Sequence, residues 1–441
     1  MTEGSIPRHI IRFALPLLAT SLVQLLYNTV DILFAGNAIG KNAAAAIGTS
    51  SLMVTCLVGL FGGISVGCSV TCARTFGGGD RKALRRVIHT AAGLAVIIGL
   101  LVMTLGILLA PFYIHVVRAP EELAEDAIAY LRIYFLSVPL AVSYNMGAGL
   151  MRALGNSRAT LTAQVWGGLA NVLMDGFFIL KLGLGVRGVA WATLVSQGLA
   201  TVLIVYKLTR IDSGIRLTFR DIHIDAGLSR EFLRIGIPAG IQAMMVTLSN
   251  IIIQYHVNGL GTDAIAAMTV YHRVENPIYL LILAFGSAAA TFVGQNAGAG
   301  KEERVRQGVK VCLGLSMMVT ILLSLLFLAG GTFAFGLFNR DPGVIREGLK
   351  MIHVTFPFYF LYPILQVLGD TIRGKGDART PMLIILGNFA LLRAVLLSVL
   401  MPFFPGIRTV ASVFPLTWAS ASLFMTAAYL RKRRSNEKVR A

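Results

Sequence analysis

Asp31 and Asp175 stand inside apolar runs of a 441-residue chain, the first between Ile10 and Ala35, the second between Ala159 and Leu180. An ionised carboxylate is costly in hydrocarbon, so it faces a bundle interior or a watery cavity, where it binds an ion or a proton. Asn171 precedes Asp175 by four residues and shares its helix face. At a rise of about 1.5 Å per residue, Asp31 and Asp175 each lie four or five residues from the external end of their segments, and Thr193 lies roughly 9 Å below the start of the next one. Asp31, Asn171, Asp175 and Thr193 are therefore expected to converge at one depth. Such a set has two chemistries. A neighbouring negative charge favours taking up a proton, and the same oxygens form a hard cage that suits sodium. The plainer reading is a structural aspartate bonded to nearby backbone or hydroxyls.

The elements that must hold these residues follow from composition. The chain is 56% hydrophobic and only 14% charged, against about 25% charged in a soluble domain. Twelve apolar stretches are each long enough to cross a bilayer as a helix. They cover 10–35, 47–73, 87–111, 127–151, 159–180 and 187–208, then 232–258, 264–297, 308–338, 347–371, 380–404 and 407–430. The predicted fold is an all-α membrane protein. With the N-terminus placed in the cytoplasm, cytoplasmic segments and the span ends adjoining them hold 28 of the 39 basic residues, and only Arg132, Arg273 and Arg393 fall well inside spans. External connections hold the rest, among them Lys41, Arg118, Lys181 and Arg187. Positive charge inside predicts that both termini are cytoplasmic, in the cell inner (plasma) membrane. The net charge of +18 is thus spent on topology and on anionic lipid headgroups, and no nucleic-acid partner is expected. The first apolar run, close behind Arg8 and Arg12, is too long for a cleavable signal peptide. Cys56, Cys68, Cys72 and Cys312 all lie in predicted spans, where packing is their expected role.

The chain also repeats itself. At an offset of 222, Arg12, Pro16 and Asn28 meet Arg234, Pro238 and Asn250. At 221, Gly40, Ala43, Ala45 and Ala46 meet Gly261, Ala264, Ala266 and Ala267. The same register pairs Gly77, Gly79 and Arg85 with Gly298, Gly300 and Arg306, and Arg152, Gly155 and Arg158 with Arg373, Gly376 and Arg379. Six crossings per repeat return the chain to its starting side, so a parallel pseudo-two-fold arrangement is expected. We divide the chain into an N-lobe (1–208), a cytoplasmic linker (209–230) and a C-lobe (231–441) with a basic tail, the two lobes facing one cavity. In the second half, the partners of Asp31, Asn171, Asp175 and Thr193 are Ile253, Leu392, Leu396 and Phe414. The polar set is thus a specialisation of one lobe.

Several strings carry a family likeness. VDILFAGNAIG (Val30 to Gly40), AAAIG (Ala44 to Gly48), CARTFGGGD (Cys72 to Asp80), RALGNSRAT (Arg152 to Thr160), RVEN (Arg273 to Asn276), VGQNAGAG (Val293 to Gly300) and RGKGDARTP (Arg373 to Pro381) resemble the multidrug and toxic compound extrusion (MATE) family. Their order and spacing cover nearly the whole chain. The resemblance implies a twelve-helix exporter of mostly organic cations, driven by a proton or sodium gradient. It also implies that Asp31, Asn171, Asp175 and Thr193 form the cation-coupling site. Other members carry acidic residues on helices 7 and 10, where this chain has Met245 and Pro363, so a second-lobe site of that kind is not expected.

Further candidates follow from the residues. Tyr27, Met53, Met146, Gln254, Tyr271, Glu275 and Tyr279 could supply the aromatic, thioether and polar wall of a promiscuous substrate cavity; plain packing is the alternative for each. Arg273 and Glu275, two residues apart, do not face each other. Asp370 and Arg393 are as well read as anchors near the cytoplasmic side. The glycine-rich turns lack a following Lys-Ser or Lys-Thr pair, so direct use of ATP is not expected. The sequence reading is a multidrug efflux antiporter that needs no cofactor, meets small-molecule drugs and membrane lipids, and works as a monomer. A flippase for lipid-linked saccharides or other lipids is the alternative. An integral membrane enzyme ranks below it, because the seven histidines show no metal spacing and no triad.

Overall fold

The computed structural model describes the backbone except at Ala35, Asn37, Ala38, Gly40, Arg118, Ala119 and Ala441. Side chains are further left out at Ile32, 41–46, Thr49, Ser51, Leu52, Cys56, Glu121 and 435–440. Gly40 and Arg118 therefore lie outside the described residues, as do the side chains of Lys41, Ala43, Ala45, Ala46 and Cys56.

The fold is all-helical, with no strand among the described residues. The first six helices are α1 (Ile6–Phe34), α2 (Lys41–Gly78), α3 (Arg81–Val116), α4 (Glu121–Ala153), α5 (Ser157–Asp175) and α6 (Val186–Thr209). The next three are α7 (Ala226–Asn258), α8 (Thr262–Gly298) and α9 (Glu302–Ala329). A bent helix, α10, joins Pro342–Phe358 to Leu361–Gly374 at an angle of 54°. Finally come α11 (Arg379–Leu400) and α12 (Ile407–Arg440). Eleven helices among the described residues are long and apolar enough to cross a membrane singly, and α10 makes twelve if its two arms form one span. The sequence reading of 347–371 as one uninterrupted segment is thus refined. Pro357, inside the 3-10 turn Phe356–Phe358, has no N–H to continue the helical ladder, and the axis breaks there.

Helix ends are set by local chemistry that recurs in both halves. Gly79 and Gly300, and likewise Gly155 and Gly376, adopt φ of 78°, 71°, 87° and 96°, a backbone state that side chains with a Cβ rarely take. Asp80 and Asn156 then cap α3 and α5 by accepting from the Ala83 and Ala159 amides at 2.9 and 3.1 Å.

Two compact units result. One is Leu15–Gly240; the other is Ile241–Ala441 together with Met1–Ala14. The first has a core built around Leu131, Phe135, Met146 and Phe232. In the second, Tyr271, Phe356, Tyr359 and Trp418 form the largest apolar cluster. Residues 209–230 pack onto the first unit. Arg85 pairs with Asp221 at 2.6 Å, Arg81 with Asp212 at 3.2 Å, and the Thr218 amide donates to His89 Nε2 at 3.1 Å. Asp225 accepts from the Leu228 amide at 3.0 Å, a bond that holds its exposed carboxyl below the usual carboxylate range.

Candidate functional site

In the first unit, glycines bring three helices close. A Cβ on Gly168 of α5 would lie 3.2 Å from Tyr27 of α1, and one on Gly167 would lie 3.0 Å from the Ala200 Cβ of α6. With α1 and α5 in contact, Asp31, one turn beyond Tyr27, reaches the end of α5. Its carboxyl stands side chain to side chain with Asp175 and Asn171. Asn171 and Asp175 are 1% and 0% exposed. Although these groups are juxtaposed, none meets strict hydrogen-bond geometry. Asp31 Oδ1, both Asp175 oxygens and both Asn171 amide atoms are buried without a bonded partner. Orphaned polar atoms of this kind are rare and costly in a folded interior. Asp175 is also the last α-helical residue before a π-helical stretch, Gly176–Lys181, a local widening often found at functional sites.

Two facing carboxylates with no basic partner among the described residues repel each other if both are ionised. A proton on one, or a small cation between them, removes the repulsion. The donor set of two carboxyls and one amide oxygen fits either. Thr193 sits on α6 with its hydroxyl donating to the Val189 carbonyl at 3.0 Å; its oxygen keeps accepting capacity, but among the described residues no hydrogen bond joins it to the other three. Tyr130 lies within electrostatic reach of both aspartates. Tyr27 stands in reach of Gln164 and Gln24, and Tyr144 donates to Gln164 Oε1 at 2.6 Å. Of this thread, Tyr130, Tyr144 and Gln164 are additions to the sequence reading. The sequence signal was available, since Gln164 interrupts the same apolar run as Asp175.

The other candidates are distributed as follows. Met146 is buried in the first core and Met53 packs against it. Gln254 donates to Asn258 at 2.7 Å. Tyr271 is buried in the second unit and donates to Thr355 Oγ1 at 3.1 Å. Glu275 and Tyr279 line a cavity of about 270 Å³ in the second unit, together with Asn250, His272, Arg393 and Trp418. Glu275 accepts from the Tyr359 hydroxyl at 2.8 Å, and its other oxygen lies 3.3 Å from His272 Nδ1. Arg273 stacks over Phe338 at 5.8 Å. Asp370 pairs with Arg373 at 2.7 Å and accepts from Gln366. Arg393, for which the sequence leaves anchoring and function level, lines the same cavity.

A family model, MatE, matches residues 16–176 and matches again over 238–399. The chain belongs to the MatE family. Its two matches fall one in each half, as the internal register of the sequence requires, and the first of them contains Asp31, Asn171 and Asp175. Among curated relatives, this MatE chain is 25% identical over 397 residues to a probable multidrug resistance protein, YpnP, of Bacillus subtilis, covering 89% of this chain and 88% of that one. It is 20% identical to the multidrug export protein MepA of Staphylococcus saprophyticus, over 86% and 83% of the two chains. It is 24% identical to a protein of Shewanella oneidensis named as an FAD transporter, over 78% and 77%. Of the solved structures, a crystal structure of MATE in complex with MaD3S superposes with a TM-score of 0.92 at 20% identity, covering 98% of each chain. This MatE protein is a transporter and not an enzyme.

Proposed function

We propose that this chain is a cation-coupled multidrug efflux antiporter. It exports organic, mostly cationic compounds in exchange for protons or sodium by alternating access. The observation that carries this reading is the buried, unbonded Asp175 carboxyl beside that of half-buried Asp31, whose Oδ1 is likewise without a partner, with Asn171 next to them. Membership of a family whose relatives bear multidrug names supports the cargo class.

The coupling ion enters as cargo at Asp31 and Asp175, with Asn171 and Thr193 supplying neutral oxygens. When it leaves, the two carboxylates repel, and α1 is the element free to respond. Pro16 interrupts its ladder, leaving fewer bonds to resist bending. The loaded and unloaded states then differ in the position of α1, and the drug competes for the unloaded one. The distribution of Lys and Arg supports cytoplasmic termini in a plasma-membrane protein. Two lobes in one chain let a monomer complete the cycle.

The test is efflux of a fluorescent organic cation from proteoliposomes under an imposed proton or sodium gradient, wild type against Asp31→Asn. Transport that follows one gradient and drops about tenfold or more in the variant is expected, a coupling energy within the usual range. Undiminished gradient-driven transport in Asp31→Asn would remove the carboxyl pair from the mechanism. A wild type that moves no cation under either gradient would overturn the cargo class.

A further inference from the structure

The second unit holds a buried cation that no carboxylate pairs with among the described residues. Arg393 is 2% exposed and follows directly on a π-helical stretch, Leu386–Leu392. Its guanidinium lies between two rings, 4.5 Å from the Phe389 centroid and 4.9 Å from that of Phe414. Two of its five N–H groups are used: Nη1 donates to Ser249 Oγ at 2.9 Å and Nη2 to Thr417 Oγ1 at 3.1 Å. Both acceptors are neutral hydroxyls. Nε is buried and has no partner.

Glu275 lines the same cavity and acts on Arg393 across it, but the two make no contact ion pair. One of its oxygens is taken by Tyr359 and the other faces His272. Elsewhere in this unit a partly buried arginine is handled differently, for Arg373 has Asp370 at 2.7 Å. A cation inside a membrane protein without a contact ion pair marks a functional site by default. Here it is rigidly posed by two hydroxyls and two rings, and it opens on a cavity of about 270 Å³ with an aromatic wall that includes Trp418. A guanidinium fork matches a planar carboxylate bidentately, and the aromatic wall favours one carried on a ring.

We infer that this cavity is a binding site for a small aromatic carboxylate, with Arg393 as its anion receptor. The carboxylate takes the unused N–H donors, and the ring packs on the aromatic wall. This site is separate from the Asp31–Asp175 pair and takes a ligand of opposite charge. It stands whether or not the coupling ion binds as proposed above.

Trp418 supplies the reporter. The chain has three tryptophans, and the other two, Trp166 and Trp191, are exposed. In full-length protein carrying Trp166→Phe and Trp191→Phe, benzoate and methyl benzoate are titrated against Trp418 fluorescence. Saturable quenching by benzoate and none by the ester at the same concentrations is expected. Arg393→Lys, which keeps the charge and loses the fork, should weaken benzoate by about tenfold. Glu275→Gln, which removes a like charge from the cavity, should strengthen it. Equal quenching by acid and ester, or none by either, would overturn the inference, as would benzoate binding unchanged in Arg393→Lys. The acid-against-ester contrast is read on protein that retains Arg393, so it decides the matter even if an Arg393 variant does not fold.

Discussion

Asp31 and Asp175 were legible because a charge in an apolar run stands out whatever the fold, and Asn171 because four residues is one helical turn. Their mutual approach was not legible, since it depends on Gly167 and Gly168 letting α5 pack closely against its neighbours. Thr193 was placed by depth alone, and depth says nothing about which way a hydroxyl points; it bonds back to Val189. Arg393 stayed open between anchoring and function for the same reason. Its position along a span could be estimated, but its two aromatic neighbours come from the π-helical stretch and from α12. A different residue offers a test at the polar end of the second unit. Asp377 accepts from the Arg379 and Thr380 amides at 3.0 and 3.1 Å and from the Thr380 hydroxyl, and Lys432 pairs with it. Partial burial works against its charge, but Lys432 and Thr380 outweigh this and hold the carboxyl below the usual range. A depressed folded value means that its stabilisation is present above the unfolded value of about 4 and is lost as pH falls through the folded one. Asp377→Ala should cost about 1 kcal/mol at neutral pH through the lost cap. Thermal unfolding in detergent should show that deficit shrinking as the pH is taken below about 4; a deficit independent of pH would assign it to packing instead.

At the scale of elements, the glycines matter more for what they admit than for what they do. Gly63 and Gly67 on α2 and Gly236 and Gly240 on α7 each form a small-xxx-small pair, and within the first unit the two pairs meet. A Cβ on Gly67 would come 2.1 Å from the Phe232 carbonyl oxygen, and one on Gly63 would come 2.2 Å from the Gly240 nitrogen. Backbone cannot swing aside as a side chain can. Gly67→Ala is therefore expected to destabilise by about 1–3 kcal/mol, seen as a lowered melting temperature, whereas Gly62→Ala, with nothing within 4 Å of the added Cβ, should be near neutral. Equal effects at the two positions would mean that α2 and α7 are not in backbone contact. The hydrophobic periodicity of these segments gave their existence and length. It could not give the break in α10, because Pro357 lies within an apolar run whose composition is unchanged across the bend.

For the whole molecule, the repeat was the strongest signal in the sequence, and the family match recurs in each half at the same register. The glycine turns at 79 and 300, and at 155 and 376, repeat in backbone conformation as well. Sequence could not name the ion, because a proton and sodium ask for the same oxygens. The proposed activity is exchange: organic cation in one direction, coupling ion in the other, through Asp31 and Asp175. The direct measurement is the reciprocal one. Proteoliposomes are given an outward gradient of an organic cation and no ion gradient, and internal pH and internal sodium are followed with indicator dyes, for wild type and Asp175→Asn. The account predicts that one of the two ions moves against the drug in the wild type and that this counter-movement is abolished in the variant. Drug leaving with neither ion moving, or counter-movement that persists in Asp175→Asn, would contradict it.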